Sequence, residues 1–121
     1  MDIKEFLDRD GERFVQLWLM IRLHQISKRH DTFDAFLQSS GISKGTLWKL
    51  MRGDGNPTIG VLQRIAESQG MSFIELLGLD PESVKKDLEK VGIDTEQLAA
   101  LAKGEKRSRK ALAKIMEKSS A

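Results

Sequence analysis

The chain has 121 residues, of which 40% are hydrophobic and 31% charged, with a formal net charge of +2 and no cysteine. This length allows one compact domain plus an extension, and the lack of cysteine excludes disulfides, zinc–thiolate sites and cysteine nucleophiles. The longest apolar run, Leu17 to Ile21, is too short to span a membrane, and the chain does not open with the layout of a secretory signal. We therefore expect a cytoplasmic protein without a membrane partner.

Charge is unevenly distributed along the chain. The first twelve residues carry five acidic and two basic side chains, whereas residues 103–118 carry seven basic and two acidic ones. The basic side chains of this tail are Lys103, Lys106, Arg107, Arg109, Lys110, Lys114 and Lys118. The distribution of charge, more than its total, therefore bears on the choice of partner.

Two helical segments are predicted at the start of the chain. Residues 2–9 form a short amphipathic pattern that is broken at Asp10, which can cap a second helix running to about His30. Between Phe14 and Leu23 this second helix is apolar over more than half of its circumference, which is more than a single buried stripe requires. Either the C-terminal extension or a second subunit covers the excess, and the sequence does not distinguish the two.

Four shorter helices follow, and each has a boundary signal at its ends. Hydroxyl and carboxylate side chains precede the apolar patterns, and glycines follow them. The predicted helices start at Asp31 or Thr32 and end near Ser40 and Gly41, run from Ile42 to Arg52 with Ser43 as N-cap, run from Thr58 to about Gln69 after the loop 53–56 and Pro57, and run from Ser72 to Leu77 between Gly70 and Gly78.

The composition shifts near Gly78, so we predict one domain at 1–78 and a helical extension at 79–121. Helices are predicted from Asp80–Pro81 to Val91, from Asp94–Thr95 to Ala102, and after Gly104 with Leu112, Ile115 and Met116 on one side. The extension is expected to support dimerisation or to bind a protein partner through residues 80–118. Its basic tail either adds phosphate contacts to DNA or packs on a partner with its charges in water.

The stretch 41–57, GISKGTLWKLMRGDGNP, contains the strongest functional pattern. Its helix is predicted to carry basic groups on one side and apolar groups on the other. The basic groups are Lys44, Lys49 and Arg52, and the apolar groups are Leu47, Leu50 and Met51. Because Gly41 can form a tight turn, this helix and the preceding one are expected to form a helix-turn-helix unit.

These residues resemble the lambda-repressor/Cro-like (XRE-type) helix-turn-helix family. The resemblance is carried by SGISKGTLWKLMRG, by NPT, by the spacing of Leu62, Ile65, Ala66 and Gly70, and by MSFIELL. It covers about half of the chain and depends on a series of spaced positions rather than on one motif. It implies an all-α protein with a five-helix DNA-binding domain, whose recognition helix at 43–52 enters the major groove.

The resemblance also implies roles for individual residues. Lys44, Gly45 and Lys49 match positions that usually face bases, and long lysine side chains suit guanine acceptors. The glycine indicates either close approach of the backbone to DNA or a tight start of the helix. Ser43, Thr46, Arg52 and Asn56 match positions at or near the phosphate backbone. With Trp48, the candidate DNA-binding residues are Ser43, Lys44, Gly45, Thr46, Trp48, Lys49, Arg52 and Asn56.

Three positions depart from the family's usual pattern. Phe33 stands where a glutamine often touches phosphate, and Met51 stands where a glutamate often pairs with an arginine, which leaves Arg22 without that expected partner. Trp48 occupies a position that is usually small or polar. It is expected to pack against the second helix, or alternatively to contact a thymine methyl group or a sugar.

The leading hypothesis is a sequence-specific transcriptional regulator, a bacterial or phage repressor, that binds double-stranded DNA as a homodimer. The alternative is an antitoxin or another regulator whose extension binds a protein partner. A third hypothesis, suggested by the three departures, is a helix-turn-helix domain that has lost DNA binding.

An enzyme is not expected. His24 and His30 are the only histidines and lie on different faces of one predicted helix, and the sequence has no glycine-rich phosphate loop. We accordingly predict no catalytic residue, metal site or cofactor.

Overall fold

The computed structural model of the chain describes residues 2–104 and 109–118. All regular secondary structure within these residues is helical, in agreement with the predicted all-α class. The eight helices are α1 (Ile3–Ser27), α2 (Phe33–Ser40), α3 (Lys44–Met51), α4 (Ile59–Ser68), α5 (Phe73–Leu76), α6 (Pro81–Lys90), α7 (Thr95–Lys103) and α8 (Arg109–Lys118). Among these described helices, none is long and apolar enough to cross a membrane.

Helix α1 is kinked at Asp10, where two helical segments were predicted to meet. The Asp10 backbone is non-helical, with φ −130° and ψ 34°, so the chain continues through a bend rather than through a loop. Across the bend, the rings of Phe6 and Phe14 lie 5.5 Å apart in an edge-on arrangement. The helix ends at Ser27, and turn hydrogen bonds continue only as far as His30, the predicted end.

The predicted caps are confirmed at the starts of six helices. Each N-cap side chain accepts a hydrogen bond from a backbone N–H of the first turn, which satisfies a donor that the helix itself leaves unpaired. These residues are Thr32, Ser43, Thr58, Ser72, Asp80 and Asp94. Gly41 follows α2 with φ +69°, a conformation that glycine adopts without steric cost, and so permits the tight turn into α3.

The predicted recognition helix is shorter than the range 43–52. Its helical residues are Lys44–Met51, with Ser43 as N-cap and Arg52 as C-cap. Ile42 lies in the turn, and its side chain is buried. Ser40 is a buried polar residue of the same turn, and its hydroxyl donates to the Leu37 carbonyl and accepts from the Ile42 N–H. Both hydrogen-bonding roles of the buried hydroxyl are therefore used.

Residues 1–78 form one compact unit with a single apolar core. The core side chains come from α1 to α5 and from the turn before α3. They are Leu19, Leu23, Ile26, Phe36, Ile42, Leu47, Leu50, Met51, Leu62, Ile65, Ala66 and Leu76. Val15 and Ile21 of α1 stay exposed, so the excess apolar surface predicted for this helix remains uncovered in part in the single chain.

Residues 79–121 form a second compact unit, and the division falls at the predicted boundary. Within it, α6 packs against α7 and α7 against α8. The apolar side predicted for α8 is buried only at Ile115, whereas Leu112 and Met116 are exposed. Residues 105–108 of the basic tail lie outside the described residues.

The core of the first unit can be tested with two isoleucines of α4. Ile65 is fully buried, whereas Ile59 is 76% exposed. We expect Ile65→Ala to lower the free energy of unfolding by about 2–5 kcal/mol, because it removes buried methyl groups and leaves a cavity. The same substitution at Ile59 should change it by less than about 0.5 kcal/mol. Denaturant unfolding checks both, and equal effects would contradict this packing.

Candidate nucleic-acid interface

The side chains of α3 divide into a buried face and an exposed face, as predicted. Leu47, Leu50 and Met51 are buried. The exposed positions, including the C-cap, are Lys44, Gly45, Trp48, Lys49 and Arg52. At 3.6 residues per turn these positions span an arc of about 140°. Three basic groups and one aromatic ring therefore share one continuous surface of this helix.

The N-terminal end of α3 is electropositive for a second reason. The Ser43 hydroxyl accepts a hydrogen bond from the Thr46 N–H at 3.3 Å and donates to the Thr46 hydroxyl at 2.9 Å. The first turn contains no acidic residue, unlike the first turns of α2 and α5. The positive end of the helix dipole is thus not offset by a carboxylate of its own turn, which favours an external anion such as phosphate.

The loop after α3 is fastened to α1 by side chains that the sequence analysis did not single out. The Arg13 guanidinium donates to the carbonyl oxygen of Gly53, and the Gln16 amide donates to that of Gly55 at 3.2 Å. Both partners lie about forty positions away along the chain. These bonds position the loop relative to the exposed face of α3.

Arg52 takes part in a chain of charges at the start of this loop. Its Nε lies 3.8 Å from an Asp54 carboxylate oxygen, and Arg13 lies 3.7 Å from the other oxygen. All three side chains are half exposed or more, so each ion pair contributes little to stability. The carboxylate instead limits the positions of the Arg52 guanidinium.

A shallow concavity of about 390 Å³ lies beside α3. It is lined by Thr46 and Lys49 of the helix and by Asp54, Asn56 and Pro57 of the loop, among others. The fold thereby brings together three residues that were predicted to contact DNA, namely Thr46, Lys49 and Asn56. Asp54 adds a negative charge at the rim that the sequence analysis did not assign to the site.

Trp48 packs against the second helix, which was the expected arrangement. Its ring lies 4.7 Å from that of Phe33, with 37° between the planes. The ring nevertheless stays exposed on the basic face. Phe33, which replaces the usual phosphate-binding glutamine, thus supports an aromatic side chain of α3.

Arg22, whose usual glutamate partner is replaced by Met51, has other partners. Its Nε donates to the Leu76 carbonyl at 2.9 Å, and an Nη donates to the Glu75 carbonyl at 2.8 Å. These are carbonyls of the last turn of α5, which lacks intrahelical donors for them. Arg22 therefore connects α1 to the end of α5 and does not need the family's ion pair.

The two histidines serve different contacts and do not form a cluster. His24 Nε2 lies 2.9 Å from the Met51 carbonyl oxygen, and His30 Nε2 lies 2.7 Å from the Gln69 side-chain oxygen. In residues 2–104 and 109–118 the structure contains no group of three or more His, Asp and Glu side chains placed to hold a metal ion.

No protein-family model, curated protein or solved structure matches this chain. A function can therefore be argued only from the residues and their geometry.

The close packing of the loop on α3 predicts opposite effects at two glycines. A Cβ on Gly55 would lie 2.6 Å from Leu50 Cδ2, whereas one on Gly45 would meet nothing within 4 Å. We expect Gly55→Ala to destabilise the protein by about 1–3 kcal/mol through overpacking. Gly45→Ala, in an open helical position, should stabilise it by about 0.5–1 kcal/mol. Thermal unfolding of the two variants checks the difference, and a neutral Gly55→Ala would contradict the packing.

The bonds of Arg22 can be tested by a substitution that keeps an unbranched apolar stem. We expect Arg22→Met to lower the free energy of unfolding by about 1–3 kcal/mol, because two carbonyls at the end of α5 lose their donors. The exposed Arg64 of α4 provides the matched control, since Arg64→Met should change stability by less than about 0.5 kcal/mol. Urea unfolding with both variants is the measurement, and similar losses would argue against this role.

Proposed function

We propose that the chain is a sequence-specific DNA-binding transcriptional regulator, a bacterial or phage repressor that acts as a dimer. The single observation that carries this proposal is the exposed face of α3, which combines Lys44, Lys49 and Arg52 with a Ser43-capped N-terminus free of acidic residues. A short helix with such a face fits the major groove of B-DNA, which admits one α-helix.

We also propose the lambda-repressor-like arrangement for α1 to α5. It is supported by the positive φ of Gly41 between α2 and α3, and by the Asn56–Pro57–Thr58 entry into α4. The buried Ile65 and Ala66 of α4 occupy the family's Ile-Ala positions. In this arrangement α2 lies across the DNA backbone while α3 enters the groove.

Within the groove, Lys44 and Lys49 donate to guanine O6 or N7, and Gly45 allows close approach of the helix backbone. Ser43 and Thr46 at the helix N-terminus, with Asn56 in the loop, contact phosphate oxygens. Their exposure and the concavity between α3 and the loop support this division of roles.

Arg52 and Trp48 complete the proposed surface. Arg52 binds phosphate, with Asp54 restricting the guanidinium to a few positions. Trp48, supported by Phe33, supplies an apolar surface beside the lysines for a thymine methyl group or a sugar. The aromatic pair thus substitutes an apolar contact where the family usually has polar ones.

A dimer is proposed because one short recognition helix contacts few base pairs. Two copies related by a two-fold axis would bind a near-palindrome with half-sites about 34 Å apart, one turn of DNA. The basic tail would add sequence-independent phosphate contacts, which steepen the dependence of affinity on salt.

The base contacts are tested with two double variants of equal charge. A selected DNA site is first obtained by binding selection from a random pool. We expect Lys44→Ala with Lys49→Ala to weaken binding to that site at least about 30-fold, because each base contact accounts for roughly 1–3 kcal/mol. Lys85→Ala with Lys86→Ala on α6 removes the same charge and should change affinity far less. Undiminished affinity of the first variant would refute the role of α3.

The phosphate contact of Arg52 has a different signature. Arg52→Ala should weaken binding to selected and unrelated DNA by a similar factor and lower the slope of log affinity against log salt by about one. Titrations at several salt concentrations measure this slope. Loss confined to the selected sequence would show that Arg52 contacts a base instead, and the absence of binding to any DNA at low salt would favour a domain that has lost this function.

A second candidate is a regulator, such as an antitoxin, whose extension binds a protein partner. It is favoured by the separate compactness of residues 79–121 and by the exposed apolar side chain of Leu98 on α7. Co-purification of a partner with the intact chain, but not with a Leu98→Asp variant, would support it. If no partner is recovered and no small toxin-like gene lies next to this one, this candidate fails.

A further inference from the structure

The N-terminal segment of α1 presents an apolar pair that nothing in the single chain covers. Ile3 is 57% exposed and Leu7 is 43% exposed, and the two side chains lie one helical turn apart on the same face. The neighbouring Phe6 points elsewhere, since its ring contacts Phe14 across the kink. This contact supports the segment while leaving the Ile3–Leu7 face open.

Helix α8 presents a second pair of the same kind. Leu112 is 49% exposed and Met116 is 64% exposed, again one turn apart, while Ile115 between them is buried. Both helices therefore bury one aromatic or aliphatic side chain and expose an apolar pair separated by four positions.

The charges around the two pairs are opposite. Around Ile3 and Leu7 there are three exposed acids and one exposed base, and around Leu112 and Met116 there are three exposed bases and one exposed acid. The first set is Asp2, Glu5, Asp8 and Lys4, and the second is Lys110, Lys114, Lys118 and Glu117. We name the first set with Ile3 and Leu7 the acidic stripe, and the second with Leu112 and Met116 the basic stripe.

The order of the charges matches when the two helices are antiparallel. If Ile3 lies opposite Met116 and Leu7 opposite Leu112, every charge in one stripe falls near an opposite charge in the other. The pairs are Asp2 with Lys118, Glu5 with Lys114, Asp8 with Lys110 and Lys4 with Glu117. On facing antiparallel helices the members of each pair also lie on the same side of the apolar seam. A parallel alignment of the apolar residues would instead set Asp8 beside Glu117.

We propose that the acidic stripe binds the basic stripe of a second copy of this chain. The single chain leaves both apolar pairs exposed, and a second copy is a partner that carries both surfaces. Each copy would offer its acidic stripe to the other's basic stripe, so the contact forms twice around a two-fold axis. This inference does not rest on the proposed DNA binding, because only the apolar pairs and the charge order carry it.

The test uses two charge-reversed forms of the full chain. One carries Lys110→Glu and Lys114→Glu, so that both of its stripes are acidic. The other carries Glu5→Lys and Asp8→Lys, so that both are basic. Each form alone should associate at least about tenfold more weakly than the unaltered chain, because like charges then face each other. Lys85→Glu with Lys86→Glu on α6 is the control of equal charge change and should associate as the unaltered chain does.

Mixing the two reversed forms is the decisive arm, because the mixture restores opposite charges at both contacts. Analytical ultracentrifugation without DNA should show a one-to-one heterodimer that weakens as salt is raised. Circular dichroism checks that each form keeps its helices. A monomeric unaltered chain at low salt, association unchanged by either reversal, or a mixture that stays monomeric would each overturn the proposal. The last result would also be the outcome if the stripes met within one chain.

Discussion

The burial of one side of α3 against α1 is the contact on which the rest of the candidate site depends. Leu47 and Leu50 of α3 share a core with Leu19 and Leu23 of α1. Because a helix is rigid, burying these side chains also sets which side chains remain in solvent. The basic face of α3 exists as a surface only because the opposite face is held in this core. The apolar residues of the recognition helix are therefore as necessary to the proposed function as its lysines.

Around this core, α1 holds the other parts of the first unit by polar contacts to backbone carbonyls. Arg13 and Gln16 bind the loop after α3, His24 contacts the end of α3, and Arg22 binds the end of α5. Such contacts are directional, unlike apolar packing, so they define where the chain ends of short helices lie. They also explain how this domain manages without the ion pair that its relatives in pattern would place at Met51.

The charge distribution serves the two units differently. In the first unit, the positive groups of α3 are offset by Asp54 alone in the adjoining loop, which leaves a face suited to an anionic partner. At the chain's two ends, the acidic and basic stripes carry complementary patterns around exposed apolar pairs. A regulator of this design would recognise DNA and its own second copy through separate surfaces, so that each could be altered without loss of the other.

The sequence by itself determined the helical class, the caps such as Ser43 and the turn at Gly41, and the exposed basic face of α3. These features depend on residues near one another in the chain, where capping and helical periodicity act. Only the tertiary structure decided the partners of Arg22, the attachment of the 53–56 loop to Arg13, and the Phe33–Trp48 pair. Those contacts join residues far apart in sequence, and which of many exposed polar side chains meet is set by the packed core, which local patterns do not encode.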